Sequence, residues 1–291
     1  MILTSRTPTS IAGVLLVAYL APLVFGCSSD STQPVDTIRV MTFNIRWASP
    51  DDGDNIWENR SDWVSRIIDS SGVHVAGLQE VTHAQLKDIM HGQTRFGYVG
   101  VGRDDGAQRG EHAPLLYDTT RFALIDWDTK WLSSFPDSIG SVGWDAALPR
   151  IATRVVLEDR STGDTLRVIN THFDHRGEEA RRESSRLVAG WTASGDIALG
   201  DFNFEPDTEP WYAMVSNGLM DAGLTPSDPR AEAGTYRSFN PGLDTSARID
   251  YVFHTPDWRV ASYQVLDPVQ GGYYPSDHLP VVVDLVPSKS P

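Results

Sequence analysis

From residue 37 onward the chain alternates short apolar runs with stretches whose apolar positions recur at helical spacing, and no long linker interrupts the pattern. Ile38 to Ile45 reads as a buried strand. Trp57 to Asp69 places Trp63, Val64, Ile67 and Ile68 on one helical face and stops at Gly72, and Val73 to Gln79 returns as a strand. Thr82 stands where it caps a short helix running to about Met90. Tyr98 to Gly102, His112 to Tyr117, Phe122 to Leu132 and Arg150 to Glu158 follow as strands. The last pairs with Thr165 to Thr171 across the Ser161-Thr162-Gly163-Asp164 turn. A second helix over Glu178 to Ala193 gathers Ala180, Leu187, Val188 and Trp191 on one face. Ile197 to Leu199 leads into Gly200, and Pro210 marks the first turn of a helix ending near Gly218. Thr235 to Phe239, Ile249 to His254, Trp258 to Leu266 and His278 to Leu285 read as β. Many strands, some joined as hairpins, with helices between others, predict one α/β domain over residues 37–288 in which two packed sheets carry helices outside.

The first residues have another character. Arg6 precedes an apolar segment from Ile11 to Phe25, short for a bilayer span and suited to a secretion signal. Val24-Phe25-Gly26-Cys27 looks like a bacterial lipobox, although Phe25 is a large residue for that place. The expectation is a signal over residues 1–26, lipidation at Cys27, and a flexible polar tether over residues 27–36; the alternative is a simple signal peptide cleaved nearby. Both predict export, to the bacterial cell envelope or beyond it. With a single cysteine, no internal disulfide can form.

Composition narrows the partners. Against 24 Lys and Arg stand 39 Asp and Glu, a net charge of −15, so the surface repels long polyanions. A broad duplex-gripping face is thereby disfavoured, while a local arginine cluster could still hold phosphate. An acidic surface also suits solvation in a salty habitat.

Chemistry concentrates in three segments: MTFNIR (Met41 to Arg46), GDFN (Gly200 to Asn203) and PSDHLPV (Pro275 to Val281). Each adjoins a strand, so Asn44, Asp201, Asn203, Asp277 and His278 fall where sheet edges meet loops. Glu80 directly follows an apolar strand and Asp277 precedes another, which offers hard oxygen ligands to a divalent cation. Asp201 and Asn203, two apart on an extended backbone, would share a face and pair a proton acceptor with an amide donor. An Asp-x-Asn loop bonding its own backbone is the plainer reading. His172 and His278 are the histidines with motif context and can move protons near neutral pH. Arg103 and Arg150 sit at loop-to-strand junctions, where a guanidinium could bind phosphate or form a surface ion pair. Asp174 and His175 either tune substrate choice or bind another ion, or belong to a capping loop before Glu178.

With LQE (Leu78 to Glu80), NTH (Asn170 to His172) and RIDYVF (Arg248 to Phe253) between them, these segments give the chain its resemblance to the endonuclease/exonuclease/phosphatase superfamily. The resemblance, over about Met41 to Val283, implies a four-layer α/β sandwich like deoxyribonuclease I and a metal-dependent phosphoesterase. It implies Asn44, Glu80 and Asp277 at the metal, Mg²⁺ first and Mn²⁺ or Ca²⁺ as alternatives, as one or two ions. Asp201 would orient or deprotonate water, Asn203 would hold phosphate, and Asp250 would orient His278. Glu111 would support His172, with Asn170 beside it, and an arginine such as Arg150 would lie near the phosphate. The predicted function is an exported hydrolase of phosphodiesters, of nuclease type. Alternatives are a phosphodiesterase or phosphatase acting on phospholipid head groups or small molecules, and a non-catalytic surface lipoprotein. Its partners would be the phosphate ester and a membrane reached through the lipid anchor, with no protein partner implied. An aromatic-lined pocket using Trp47, Trp144 or Tyr273 would favour a compact substrate.

Overall fold

A computed structural model describes residues 1–2, 36–224, 234–243 and 247–288. Cys27 and nearly all of the expected signal and tether lie outside the described residues. The elements below belong to the compact unit that begins at Asp36.

One sheet contains β1 (Ile38–Asn44), β2 (Val75–Gln79), β3 (Phe96–Val99), β4 (Leu115–Asp118), β11 (Trp258–Val265) and β12 (Val281–Pro287). Its order is β11-β12-β1-β2-β4-β3. The other contains β5 (Phe122–Trp131), β6 (Ile151–Asp159), β7 (Thr165–His172), β8 (Asp196–Asp201), β9 (Met220–Asp221) and β10 (Asp250–His254), in the order β5-β6-β7-β8-β10-β9. Each sheet has a single parallel pair near its centre, β1 with β2 and β7 with β8. Among the described residues four α-helices complete the layers: α1 (Trp57–Ser70), α2 (His83–Met90), α3 (Glu178–Trp191) and α4 (Glu209–Val215).

Strand alternation decides which side chains fill which layer. Val40, Val75 and Leu115 point inward to meet Val168, Leu199 and Val252 of the facing sheet. Met41, Phe43 and Leu78 point outward onto Val64 and Ile68 of α1 and Leu86 of α2. Ile169, Ala198 and Phe253 pack on Val188 of α3 and on Trp211 and Met214 of α4. β1, β2, β7 and β8 are buried over most of their length on both faces.

Asn170 crosses the interior as a polar staple. Its Nδ2 donates to the Leu78 and Pro114 carbonyls at 2.8 Å, and its Oδ1 accepts from Gln79 Nε2 at 2.7 Å, so β7 is bonded to the opposite sheet. Gly77 leaves the room: a Cβ there would lie 2.1 Å from Leu199 Cδ1 and 2.6 Å from Asn170 Oδ1.

Local signals hold at the helix starts. Thr82 and Gln85 form a reciprocal capping box, and Pro210 lies in the first turn of α4. The β6–β7 hairpin closes over the expected turn. Other bounds shift: Tyr98 to Gly102 narrows to Phe96–Val99, and His112 to Tyr117 to Leu115–Asp118. The expected strand over Thr235 to Phe239 does not form. Only Tyr236 bridges to His278, and Ser238 and Phe239, at φ 49° and 57°, turn the chain away from any ladder.

Candidate active site

The motif residues converge because the carboxyl ends of β1, β2, β7 and β8 share one rim with the start of β10 and the approach to β12. Register brings Asp201 opposite both His172 on β7 and Asp250 on β10. Asn44, ending β1, crosses to the same point: its Nδ2 lies 2.9 Å from Asp201 Oδ2 and 3.1 Å from Glu80 Oε1.

Asp201 Oδ2 is therefore the node of the site. Besides Asn44, it lies 3.5 Å from His172 Nε2 and 3.8 Å from His278 Nε2. On its far side His278 meets Asp250, with Nδ1 2.9 Å from Oδ2. The Thr235 hydroxyl accepts the Asp250 N–H at 3.1 Å. All these side chains are buried.

Burial drives the electrostatics and neighbours separate the two histidines. Desolvation holds His172 well below the ordinary imidazole value, reinforced by Arg150 and Arg103. Desolvation also presses on His278, but Asp250, Asp201 and Asp277 outweigh it and hold that ring well above the ordinary value. One imidazole is neutral and the other cationic, the division of labour that acid–base chemistry requires. Burial, with Asp250 beside it, raises Asp201 to about 7. Burial raises Asp277 as well.

Backbone strain accompanies these groups. Arg46, Glu80 and Asn203 adopt φ of 59°, 61° and 52°, a region that costs non-glycine residues about 1–3 kcal/mol each. At Asn203 this corrects the sequence expectation: the chain has left the strand, so alternation does not put Asn203 on the face of Asp201. Instead Asp201 Oδ1 accepts the Asn203 N–H at 3.0 Å, the self-bonded Asp-x-Asn turn, and Asn203 Nδ2 donates to the Phe173 carbonyl. Asn203 still lines the cavity.

Two supporting assignments also change. Glu111 receives both Arg103 Nη atoms, at 2.8 and 2.9 Å, while His172 Nδ1 is 3.8 Å from its carboxylate and has no hydrogen-bond partner. Arg103 is thus committed behind the site and does not line the cavity. Arg150 does line it. Its Nε faces Asp174 at 3.4 Å, its Nη2 donates to His175 Nδ1 at 3.0 Å, and its Nη1 is buried without a partner. Asp174 faces Arg150 and accepts the Arg176 and Gly177 N–H groups leading into α3, as the capping-loop reading expects.

The cavity bounded by these groups measures about 410 Å³, and Trp47, Leu148 and Tyr236 supply its apolar wall. Trp144 lies elsewhere, and Tyr273 lines a separate cavity beside α1. Arg46 was visible in MTFNIR but unassigned; it pairs with Asp52 and reaches within 4.0 Å of Asp277. Tyr236, whose ring centroid is 5.1 Å from that of His278, had no sequence signal beyond its place in an expected strand.

The donor set fits a divalent cation. Glu80 and Asp277 offer hard oxygens at one wall, and the Asn44 amide nitrogen now places partial positive charge between the Glu80 and Asp201 carboxylates. Asp201, Asp250 and His278 also bring ligand atoms within 4.8 Å of one another. Because His278 Nδ1 is already bonded to Asp250, that trio is better suited to proton handling than to a metal.

A family model for the endonuclease/exonuclease/phosphatase family matches residues 41–278. An endonuclease/exonuclease/phosphatase family protein from Bacteroides thetaiotaomicron is 33% identical, with 88% of this chain and 99% of that chain covered at a TM-score of 0.79. A mannosyl-6-phosphatase from the same organism is 34% identical, covering 86% and 99% at a TM-score of 0.77. The human nocturnin catalytic domain, at 20% identity, 88% and 97% coverage and a TM-score of 0.66, shares the fold. No curated protein matches the chain.

Proposed function

The chain belongs to the endonuclease/exonuclease/phosphatase family of phosphoesterases, and from that premise we propose that it is a Mg²⁺-dependent hydrolase of compact phosphate esters, with phosphorylated sugars or similar polyols as the first class to test. The family uses divalent metals. The observation that carries the reading is Arg150: a buried guanidinium, its Nη1 without a partner, in the wall of a cavity of about 410 Å³, room for a phosphoryl group and one attached ring rather than a duplex. A net charge of −15 and the 34% identical mannosyl-6-phosphatase support the same reading.

Asn44, Glu80 and Asp277 would hold the cation, which when bound would neutralise charge on the phosphoryl oxygens. The Arg150 guanidinium donates to a non-bridging oxygen. The Asp201 carboxylate orients the attacking water and takes its proton, with neutral His172 beside it as a further acceptor. His278, cationic and fixed by Asp250, gives its Nε2 proton to the leaving oxygen as the P–O bond breaks. Trp47 offers a flat wall to the leaving group's apolar face.

Hydrolysis of p-nitrophenyl phosphate, bis-p-nitrophenyl phosphate, a panel of sugar phosphates and single-stranded DNA, each with Mg²⁺ and with chelator, tests the proposal. Metal-dependent turnover of sugar phosphates supports it; turnover confined to DNA favours the nuclease-type diester activity that is the second reading. The N-terminal pattern supports export with Cys27 lipidated, which detergent partitioning of the chain and of Cys27→Ser checks.

A further inference from the structure

Arg60, near the start of α1, is 2% exposed and has no carboxylate partner among the described residues. Burying a guanidinium in this way is costly, and carbonyl dipoles, two aromatic rings and the more distant charges of Asp277, Asp52 and Glu80 offset it. Its Nη1 donates to Ile45 O at 2.7 Å and to Pro275 O at 2.8 Å; its Nη2 reaches Arg46 O at 3.3 Å and its Nε reaches Asn55 O at 2.6 Å. The guanidinium lies 5.4 Å from the Trp57 ring and 5.3 Å from the Phe239 ring.

These carbonyls are distributed meaningfully. Ile45 and Arg46 directly follow Asn44, and Pro275 lies two residues before Asp277. Nη1 alone therefore bridges the loops that carry two residues assigned to the cation, Nη2 holds the carbonyl of the strained Arg46, and Nε ties in Asn55. Gln85 Nε2 also donates to Arg46 O at 2.8 Å, and Ser276 Oγ donates to Asn44 O at 2.7 Å across the same seam. A lysine could carry the charge but not the planar fork that reaches these carbonyls at once.

We infer that Arg60 is a positioning residue that sets the separation of Asn44 and Asp277, and through it the affinity of the site for a divalent cation. The inference rests on the assignment of those two residues to the cation. Two opposite effects separate clamp from charge: loss of a clamp weakens cation binding, whereas loss of a nearby positive charge strengthens it.

Calorimetric Mn²⁺ binding to the full chain, Arg60→Lys, Arg60→Met and Asp277→Asn tests this, with circular dichroism to verify folding. The expected result is weakening by about 10- to 100-fold in both Arg60 variants, as for other residues that orient metal ligands. In activity assays the Mn²⁺ concentration at half-maximal rate should move in parallel. Unchanged or tighter binding in folded Arg60→Lys overturns the inference; should Arg60→Met fail to fold, Arg60→Lys alone decides. Absence of Mn²⁺ binding by the unmodified chain, or unaltered binding by Asp277→Asn, overturns the cation assignment and the inference with it.

Discussion

His278 and Asp250 form a buried ion pair, Nδ1 to Oδ2 at 2.9 Å, which leaves the opposite ring nitrogen facing Asp201. Replacing Asp250 by Asn keeps the shape but removes the charge that stabilises the imidazolium. The expected loss in kcat is about 10²- to 10⁴-fold, the usual range for acid–base groups. Melting of Asp250→Asn and steady-state kinetics check it: a loss in kcat below tenfold would remove His278 from proton transfer.

Glu80 directly follows β2, with one carboxylate oxygen on Asn44 Nδ2 and the other on the Trp47 N–H. Activity should vanish in chelator and return with Mg²⁺. Since a bound cation contributes several kcal/mol to the transition state, Glu80→Ala should lose on the order of 100-fold or more in kcat. Restoration of full rate in Glu80→Ala by millimolar Mg²⁺ would place the cation elsewhere.

Arg150 lines the cavity with its Nη1 buried and unpartnered, and a charge-assisted bond from this guanidinium to a phosphate is worth about 1.5–3 kcal/mol. Arg150→Ala should lower kcat/KM by about 10- to 100-fold. Arg150→Lys should recover little of this, because the fork that also engages Asp174 and His175 is gone. Recovery to the unmodified rate by Lys would reduce Arg150 to a diffuse charge.

Gly77 admits no side chain beside Asn170. Gly77→Ala should destabilise the fold by about 1–3 kcal/mol through overpacking between the sheets. Urea unfolding measures this, and a midpoint equal to that of the unmodified chain contradicts the packing described.

His74 Nδ1 accepts the Arg39 N–H at 2.9 Å, so the folded state needs the neutral ring; burial and then Arg121 hold its value below the ordinary one. For a folded value lowered in this way, stability is fully present above about pH 6.5 and falls as pH drops through the folded value. Thermal melts between pH 7 and pH 5 should show a smaller loss for His74→Gln than for the unmodified chain. Equal slopes would assign the acid sensitivity to other groups.

The sequence by itself determined most of the elements, the sandwich and which motif residues gather at one rim. Apolar runs flanked by polar turns define buried strands locally, and short motifs at their ends mark the rim, because strand direction alone decides which end each motif occupies. What only tertiary structure decided was partnership. Asn203 leaves the strand because Asp201 bonds its N–H, Glu111 is committed to Arg103 rather than His172, and Arg60, without motif context, joins the loop at Ile45–Arg46 to Pro275, 215 residues from Arg60 in sequence. Such choices depend on which donors and acceptors meet after two sheets pack, and on opposing terms of burial and charge that neutralise His172 while charging His278. Local pattern encodes neither.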